Sequence, residues 1–342
     1  MNIVYSCDDN YCPYTGISIT SLFESNKEQN EINVFILGLD IREANAEKFN
    51  SLAQKYKRSI SIIDAYEIDK FLEDNGALLF HGVSRATYYR LFIECVIPKG
   101  IDRVFYLDGD TVIEGSLQEL ESFQFGENKA CAMTYERVFK GYNSFIGLRE
   151  EDSYYQVGVM LIDLKEWREL KCSERILKSI NKGYADFLMC DQDLLSHTIN
   201  ENIQLLPAKY NVLSDWADIR VSNLYSYKDA NEYNFHSLNE IEAALRNPVI
   251  LHCKKGPCSD APWIKNSKNP FRHEWKKYKE QSLWHDKMPI KERLKLRSRI
   301  RKRVFRIMLT VLPRAVFLKI DKAYSIYQTK KYYRKNGHFA ML

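Results

Sequence analysis

The chain has 342 residues, enough for one large α/β domain or for a domain with an appendage. Its net charge of +5 conceals an asymmetry, because residues 286–342 carry 17 Lys and Arg but only 3 Asp and Glu, whereas the residues before them have a net charge of −9. No run reaches the ~18 apolar residues of a membrane-spanning helix, and no signal peptide is expected. The eight cysteines include no C-x-x-C pair, so we expect reduced thiols of a cytoplasmic protein, without disulfides or zinc.

Short apolar runs alternate with longer amphipathic runs along most of the chain. The apolar runs predict strands at 3–6, 32–37, 59–63, 104–107, 130–135, 157–162 and 249–251. The amphipathic runs predict helices at 13–25, 43–57, 84–94, 173–182 and 191–200. This alternation indicates an α/β fold with a mainly parallel sheet covered on both faces. Ligands of such sheets bind beyond the carboxyl ends of the strands.

Asp108-Gly109-Asp110 follows the fourth predicted strand, and its two carboxylates point to the same side of an extended chain. Like charges in this arrangement repel each other unless a cation lies between them, so the pair predicts a divalent-metal site that holds a nucleotide diphosphate. An ordinary acidic turn is the alternative. Asp8 and Asn10 follow the first strand and belong to the same edge. There is no G-x-G-x-x-G after that strand and no P-loop motif, which argues against dehydrogenases and P-loop ATPases.

Six segments match one known pattern, in order, over about residues 1–265. They are 3–10, 84–91, 104–110, 157–164 with Trp167, 191–193, and His252 with 262–263. On these residues the chain resembles glycosyltransferase family 8, the retaining group that includes glycogenin and bacterial galactosyl- and glucosyltransferases of lipopolysaccharide and capsule assembly. The resemblance implies a single GT-A type nucleotide-sugar-binding domain.

The resemblance also implies a metal site. Asp108 and Asp110 would bind a divalent cation, with His252 as the third protein ligand and diphosphate oxygens completing the octahedron. Hard oxygen ligands with one imidazole suit Mn²⁺ first and Mg²⁺ second.

The donor implied by the resemblance is a UDP-hexose. Asp8 and Asn10 would hydrogen-bond the uracil, and Tyr11 would stack on its ring. The other residues assigned to donor binding are Arg90, Asp108, Gly109, Gln156 and Gly256.

Three positions depart from the family pattern. Gln156 replaces an asparagine that contacts the donor sugar and Val157 replaces an alanine, and we expect the two larger side chains to favour glucose or galactose over N-acetylated sugars. Ala261 replaces the lysine that grips the diphosphate, so Lys254 or Lys255 is expected to supply that charge.

Three neighbouring residues match the segment beside the donor sugar. Gln192 occupies the position below the anomeric carbon and is a poor nucleophile, so the resemblance favours retention by front-face displacement without a covalent intermediate. Asp191 and Asp193 would orient sugar hydroxyls and stabilise positive charge. His81 is assigned to the acceptor side.

The same residues have ordinary structural alternatives. Asp8 or Asn10 would cap the helix that follows, and Asp191 would cap the helix that it begins. His252 would be a core histidine with satisfied hydrogen bonds, and Arg90 a partner in a surface salt bridge.

The composition changes after Pro270. We therefore place the glycosyltransferase domain at 1–270 and a basic amphipathic helical segment at 271–342. The basic and bulky apolar residues of 291–309 predict attachment to an anionic membrane surface, on the inner face of the cell membrane. The alternative is a basic helix that packs on the acidic surface of the domain.

Three functions compete at this stage. The leading one is a metal-dependent retaining hexosyltransferase that moves glucose or galactose from a UDP-sugar to a glycan or lipid-linked glycan, in lipopolysaccharide, capsule or other cell-surface polysaccharide synthesis. The second is a catalytically silent module that binds a nucleotide sugar or a glycan. The third is nucleic-acid binding by the basic tail, which we do not expect because no reading module is recognisable.

Overall fold

The computed structural model of the chain describes residues 1–29, 31–74, 84–136, 139–184, 187–231, 233–286 and 296–335. The strands are β1 Asn2–Asp8, β2 Asn33–Leu39, β3 Ser59–Asp64, β4 Arg103–Leu107, β5 Thr111–Ile113, β6 Cys131–Tyr135, β7 Tyr155–Asp163, β8 Ile203–Leu205, β9 Val212–Leu213 and β10 Ile250–His252. The helices are α1 Cys12–Ser25, α2 Glu43–Tyr56, α3 Tyr66–Asp74, α4 Ala86–Tyr89, α5 Gln118–Glu121, α6 Tyr142–Phe145, α7 Leu164–Glu169, α8 Cys172–Asn181, α9 Cys190–Ile199, α10 Ser214–Ile219, α11 Val221–Lys228, α12 Leu238–Arg246, α13 Arg272–Gln281, α14 Leu296–Val311 and α15 Arg314–Lys335. The predicted acceptor-side residue His81 lies outside the described residues.

The central sheet has seven strands in the order β3-β2-β1-β4-β7-β6-β8. Neighbouring strands are parallel from β3 to β4 and again between β6 and β8, whereas β7 is antiparallel to both of its neighbours. The predicted α/β fold with a mainly parallel central sheet is confirmed. All of the predicted strands are present.

A second, three-stranded sheet has the order β5-β10-β9. In its antiparallel pair, His252 on β10 lies opposite Thr111 on β5. The backbone N–H of Cys253 donates to the carbonyl oxygen of Asp110 at 2.9 Å, which continues this pairing by one step. The small sheet therefore brings the end of β10 next to the loop that follows β4.

Helix α1 is buried on nearly every side. Leu22 and Phe23 pack in a cluster with side chains of the central sheet, while Ile17 packs with side chains of the small sheet. A Cβ at Gly16 would lie 2.1 Å from the ring of Trp284, so the indole occupies the space that any side chain at this position would need. The segment after α13 is thus packed into the domain.

The C-terminal helices α14 and α15 contact the rest of the protein through buried apolar side chains and through ion pairs. Phe317, Leu318 and Tyr333 are buried. Asp260 accepts from Lys302 at 2.6 Å and from Arg306 at 2.8 Å. These contacts match the alternative in which basic helices pack on an acidic surface. None of the helices within the described ranges is both long and apolar enough to cross a membrane.

Candidate active site

A cavity of about 440 Å³ opens at the carboxyl ends of β1 and β4. These adjacent strands are parallel, so the loops that follow them meet at one edge of the sheet. The predicted site residues that line the cavity are Asp8, Tyr11, Arg90, Asp108, Gly109, Asp110, Gln156, Asp191, Gln192 and Lys254. The predicted residues Asn10, Asp193, His252, Lys255 and Gly256 are not part of its lining.

Asp108, Asp110 and His252 form a cluster beside this cavity. One ligand atom from each residue lies within 4.8 Å of the other two. His252 Nε2 is 3.4 Å from Asp110 Oδ1 and 3.9 Å from Asp108 Oδ2. A Cβ at Gly158 would lie 2.4 Å from the His252 ring and 2.5 Å from Asp108 Oδ2, so the cluster depends on a residue without a side chain there.

Asn211 determines which ring nitrogen of His252 faces the carboxylates. Its amide nitrogen donates to Thr134 Oγ1 at 3.0 Å and to Gln156 Oε1 at 2.8 Å, which uses both of its hydrogens. The Asn211 Oδ1 atom is then left to accept from His252 Nδ1, 3.1 Å away. This assigns the proton to Nδ1 and directs the lone pair of Nε2 toward Asp108 and Asp110.

This arrangement fits a divalent cation. Two carboxylates and an imidazole nitrogen converge, and the histidine is oriented by a hydrogen-bonding partner, as is usual for metal-bound histidines. The mixture of hard oxygens and one imidazole suits Mn²⁺ or Mg²⁺ better than a soft metal.

Arg90 is buried and joins the metal cluster to the start of helix α9. Its Nη2 lies 2.8 Å from Asp108 Oδ1, and its Nε lies 3.0 Å from Asp191 Oδ2. The guanidinium also donates to the carbonyl oxygen of Val157 at 3.0 Å and lies over the ring of Tyr106. Such a clamp differs from a surface salt bridge, because removing the arginine would leave two carboxylates close together in a buried place.

Asp191 and Gln192 reach the cavity from the first turn of α9. Burial raises the pKa of Asp191 to about 7, and the Asp108 carboxylate adds to this, although Arg90 acts in the opposite direction. The Gln192 amide nitrogen donates to the Tyr154 hydroxyl at 2.9 Å. The cavity wall therefore holds a fixed amide beside a carboxyl group that is protonated more readily than usual.

Asp193 points away from the cavity. It is fully buried, and its carboxylate accepts from the hydroxyls of Tyr142 at 2.8 Å and Tyr154 at 2.6 Å. Burial raises its pKa to about 6 despite these hydrogen bonds. In this position Asp193 contacts protein groups and does not line the cavity.

Lys254 lines the same cavity. Its Nζ atom lies 2.8 Å from Glu136 Oε2, and the other Glu136 oxygen lies 2.8 Å from the buried Lys228. Lys228 also pairs with Asp215 at 2.9 Å. Lys254 is thus held at the cavity wall by a buried network of two carboxylates and one further ammonium group.

Lys255 and Gly256 lie on the other side of the same loop. Both line a separate cavity of about 300 Å³, which is also lined by residues of α14 and α15. The Gly256 N–H donates to the Ser259 carbonyl oxygen at 3.1 Å. Of the two lysines predicted to contact the diphosphate, only Lys254 lines the larger cavity.

The predicted uracil side is built from the turn after β1. Asp8 Oδ1 accepts from the Tyr11 N–H at 3.0 Å, and Asn10 is exposed. The ring centres of Tyr11 and Tyr14 are 4.6 Å apart, and those of Tyr14 and Trp263 are 4.8 Å apart. Burial raises the pKa of the Tyr11 hydroxyl well above its ordinary value, as do the nearby Asp110 and Asp108 carboxylates, so Tyr11 stays neutral.

Several residues of the site were not predicted from the sequence. Glu136 directly follows strand β6, and the rule that ligands bind at strand ends would have identified it. Tyr106 lies on β4 two residues before Asp108, and its hydroxyl donates to Asp108 Oδ1 at 3.0 Å. Asn211 and Tyr154 carry no local signal, because each is brought to the site by tertiary packing.

Residues 2–256 match the model of glycosyl transferase family 8. The chain belongs to this family. It is 23% identical over 292 residues to general stress protein A of Bacillus subtilis, covering 83% of this chain and 95% of that protein. It is 25% identical over 294 residues to the lipopolysaccharide 1,2-glucosyltransferase of Escherichia coli K12, and the match covers 84% of this chain and 80% of that protein.

The fold matches that of the galactosyltransferase LgtC, which has been solved with donor and acceptor sugar analogues. The TM-score is 0.64 at 22% identity, and the match covers 83% of this chain and 96% of LgtC. At this level of identity the likeness establishes the shared fold of a family 8 glycosyltransferase and leaves the substrates open.

Proposed function

We propose that this glycosyltransferase is a metal-dependent, retaining hexosyltransferase that uses UDP-glucose or UDP-galactose. The observation that carries the proposal is the cluster of Asp108, Asp110 and His252 beside a cavity that Gln192 also lines. A nucleotide diphosphate at the cluster would place the attached sugar toward Gln192.

The charged residues of the site would have separate roles in binding the diphosphate of UDP. A divalent cation held by Asp108, Asp110 and His252 would supply Lewis-acid stabilisation of the negative charge on the departing UDP. Lys254 would add a second positive charge from the facing loop, taking the role of the lysine replaced at Ala261. Arg90 pairs with both Asp108 and Asp191 and so keeps both carboxylates oriented.

Retention is proposed from the residue type at the sugar side. Gln192 has no nucleophilic carboxylate, so the acceptor hydroxyl would attack on the face that UDP leaves, with the leaving oxygen taking its proton. Gln192 Oε1 would stabilise the positive charge at the anomeric carbon. LgtC has itself been solved as an active-site variant with glutamate in place of glutamine, which supports a role for this kind of residue.

The donor and acceptor are proposed from the cavity and from the relatives. Gln156 lines the cavity and is fixed by hydrogen bonds from the Gly158 N–H and from Asn211, which supports a crowded pocket that favours unsubstituted hexoses. The Escherichia coli relative is a lipopolysaccharide glucosyltransferase. We therefore propose a cell-surface glycan, or its lipid-linked precursor, as the acceptor.

Attachment to the inner face of the cell membrane remains part of the proposal. Ile300, Val304, Ile307 and Val311 follow helical spacing along one face of α14 and are between 47% and 75% exposed. Phe305 and Leu309 pack instead against the domain. An exposed apolar stripe on a basic helix supports shallow insertion among anionic headgroups.

A donor screen tests the proposal. The protein is incubated with Mn²⁺ and UDP-glucose, UDP-galactose, UDP-N-acetylhexosamines or UDP-glucuronate, and UDP release is measured. We expect release from glucose or galactose donors to exceed that from N-acetylated ones. The silent-module alternative predicts that UDP binds in the presence of Mn²⁺ while no donor is hydrolysed or transferred.

A further inference from the structure

Tyr333 ties the C-terminal helix α15 to the sugar side of the cavity. It is fully buried, although it lies near the end of the chain. Its ring stacks on Phe145, with ring centres 4.8 Å apart and planes inclined by 4°. Its hydroxyl accepts from the backbone N–H of Leu188 at 3.3 Å. The helix is therefore anchored at the segment that leads into α9.

The same hydroxyl belongs to a group of three that surround one carboxylate. Tyr333 Oη lies 3.5 Å from Asp193 Oδ2, which also accepts from Tyr142 at 2.8 Å. The other carboxylate oxygen accepts from Tyr154 at 2.6 Å. The backbone N–H of Met189 donates to Asp193 Oδ2 at 2.8 Å. These groups close off the buried side of α9.

Hydrogen-bond polarity connects this group to Gln192. The Tyr154 hydroxyl donates its only hydrogen to Asp193, so its oxygen is left to accept from the Gln192 amide nitrogen, 2.9 Å away. The Gln192 Oε1 atom faces the Val157 N–H at 3.5 Å. The order of donors therefore fixes which end of the Gln192 amide is the oxygen.

The buried setting makes this order robust. A charged acceptor strengthens the bond from Tyr154, and a hydrogen bond in a low-dielectric environment polarises the next one along the chain. A shift of Asp193 would move Tyr154 and, with it, the amide of Gln192. Tyr333 limits such a shift because it contacts both Asp193 and Leu188.

We infer that Tyr333 is a positioning residue that orients Gln192 through Asp193 and Tyr154. The effect of Tyr333 on the reaction rate rests on the proposed function, whereas its effect on the position of Gln192 does not. It gives the C-terminal helix a role in the chemistry that is separate from any contact with a membrane. It also explains why Asp193 is buried among tyrosines and does not line the cavity.

The test compares Tyr333→Phe with Tyr327→Phe, which lies on the same helix and is 59% exposed. The phenylalanine keeps the stacked ring and removes only the hydroxyl. We expect kcat for UDP release to fall about 10- to 100-fold in Tyr333→Phe with KM for the donor little changed, because a misplaced group affects the transition state most. Tyr327→Phe should match the wild type.

Hydrogen exchange supplies a readout that does not depend on activity. Amides of residues 187–193 should exchange faster in Tyr333→Phe than in Tyr327→Phe, while amides of the central strand β1 should not change. In an Asp193→Asn background, adding Tyr333→Phe should cause little further loss of kcat, since both act on one path.

Two results separate the outcomes. Equal kcat and equal exchange of residues 187–193 in Tyr333→Phe and Tyr327→Phe would overturn the positioning role. A wild-type protein that releases no UDP from any donor would contradict the proposed function instead, and the exchange comparison would then decide alone whether Tyr333 orders this segment.

Discussion

His252 Nδ1 lies 3.1 Å from Asn211 Oδ1, and this contact directs Nε2 of the same ring toward Asp108 and Asp110. Asn211 reaches this position from the turn before β9, far from the other residues in sequence. Its amide nitrogen is fixed by Thr134 and Gln156, so the asparagine presents its oxygen to the histidine. The orientation of the metal cluster is thus controlled from outside the cluster.

Replacing Asn211 by leucine should weaken metal binding. The leucine keeps similar bulk but leaves the histidine without its acceptor, so both ring orientation and tautomer become free. We expect Mn²⁺ affinity to fall about 10- to 100-fold, measured by calorimetry in the presence of UDP. Asn223→Leu, on helix α11, is the control. Unchanged Mn²⁺ affinity in Asn211→Leu would remove the orienting role.

The stereochemistry of the product is the next prediction. With Gln192 at the sugar side, an α-linked UDP-hexose should give an α-glycoside. Proton NMR of the product reads the anomeric configuration directly. A β-linked product would contradict retention.

Glu136→Gln should destabilise the protein in a pH-dependent way. Burial opposes ionisation of Glu136, but the ammonium groups of Lys228 and Lys254 outweigh it and hold its pKa well below the ordinary value of 4.5. The ionised carboxylate therefore stabilises the fold fully at pH values above the ordinary pKa of 4.5. This stabilisation is lost as the pH falls through the lower pKa of the folded state. We expect a loss of about 3 kcal/mol near neutral pH.

Urea unfolding of both proteins at about pH 7 and about pH 3 measures this. The difference in unfolding free energy between wild type and Glu136→Gln should narrow at the lower pH. Glu151→Gln, at an exposed glutamate, should show almost no difference at either pH. If the difference in unfolding free energy between wild type and Glu136→Gln is the same at both pH values, the lowered pKa of Glu136 is refuted.

Membrane attachment is best tested without truncation, since Phe317, Leu318 and Tyr333 are buried against the domain. The double substitution Ile307→Ser with Val311→Ser removes two exposed apolar groups from α14. We expect reduced co-sedimentation with anionic vesicles at low salt and no binding to neutral vesicles by either form. Tyr233→Ser removes an exposed apolar group elsewhere and is the control. Equal binding of all three proteins, or none by the wild type, argues against the membrane role.

Much of the fold was predictable because its pattern is local. Most strands of the central sheet are rich in apolar residues, and the ends of β1 and β4 carry the acidic residues that ligand sites need. Strands β5 and β9 have three and two residues, too few for a pattern, and exist through pairing with β10. Helix α15 follows Pro313 and was not predicted as a separate element.

The directions of Asp191 and Asp193 follow from the helical period of α9. Residues two apart on a helix differ by about 200° in direction, so Asp191 and Asp193 face opposite sides once both lie on α9. The helix was predicted at 191–200, but both carboxylates were assigned to the sugar from the family resemblance and not from the helical period. The partners of Asp193 are tyrosines from separate elements, and only tertiary packing brings them together.

The most direct measurement of the central claim is metal-dependent UDP release by Asp110→Ala. The Asp110 carboxylate lies in the cluster with Asp108 and His252, so its removal takes away one of the three groups that would hold the cation. Asp9→Ala is the matched control, because Asp9 lies at the same edge but pairs with Arg42. We predict that wild type and Asp9→Ala release UDP with Mn²⁺ and stop in excess chelator, and that Asp110→Ala loses at least about 100-fold in rate at an unchanged melting temperature. Full activity of Asp110→Ala, or wild-type activity that persists in chelator, would contradict the metal mechanism.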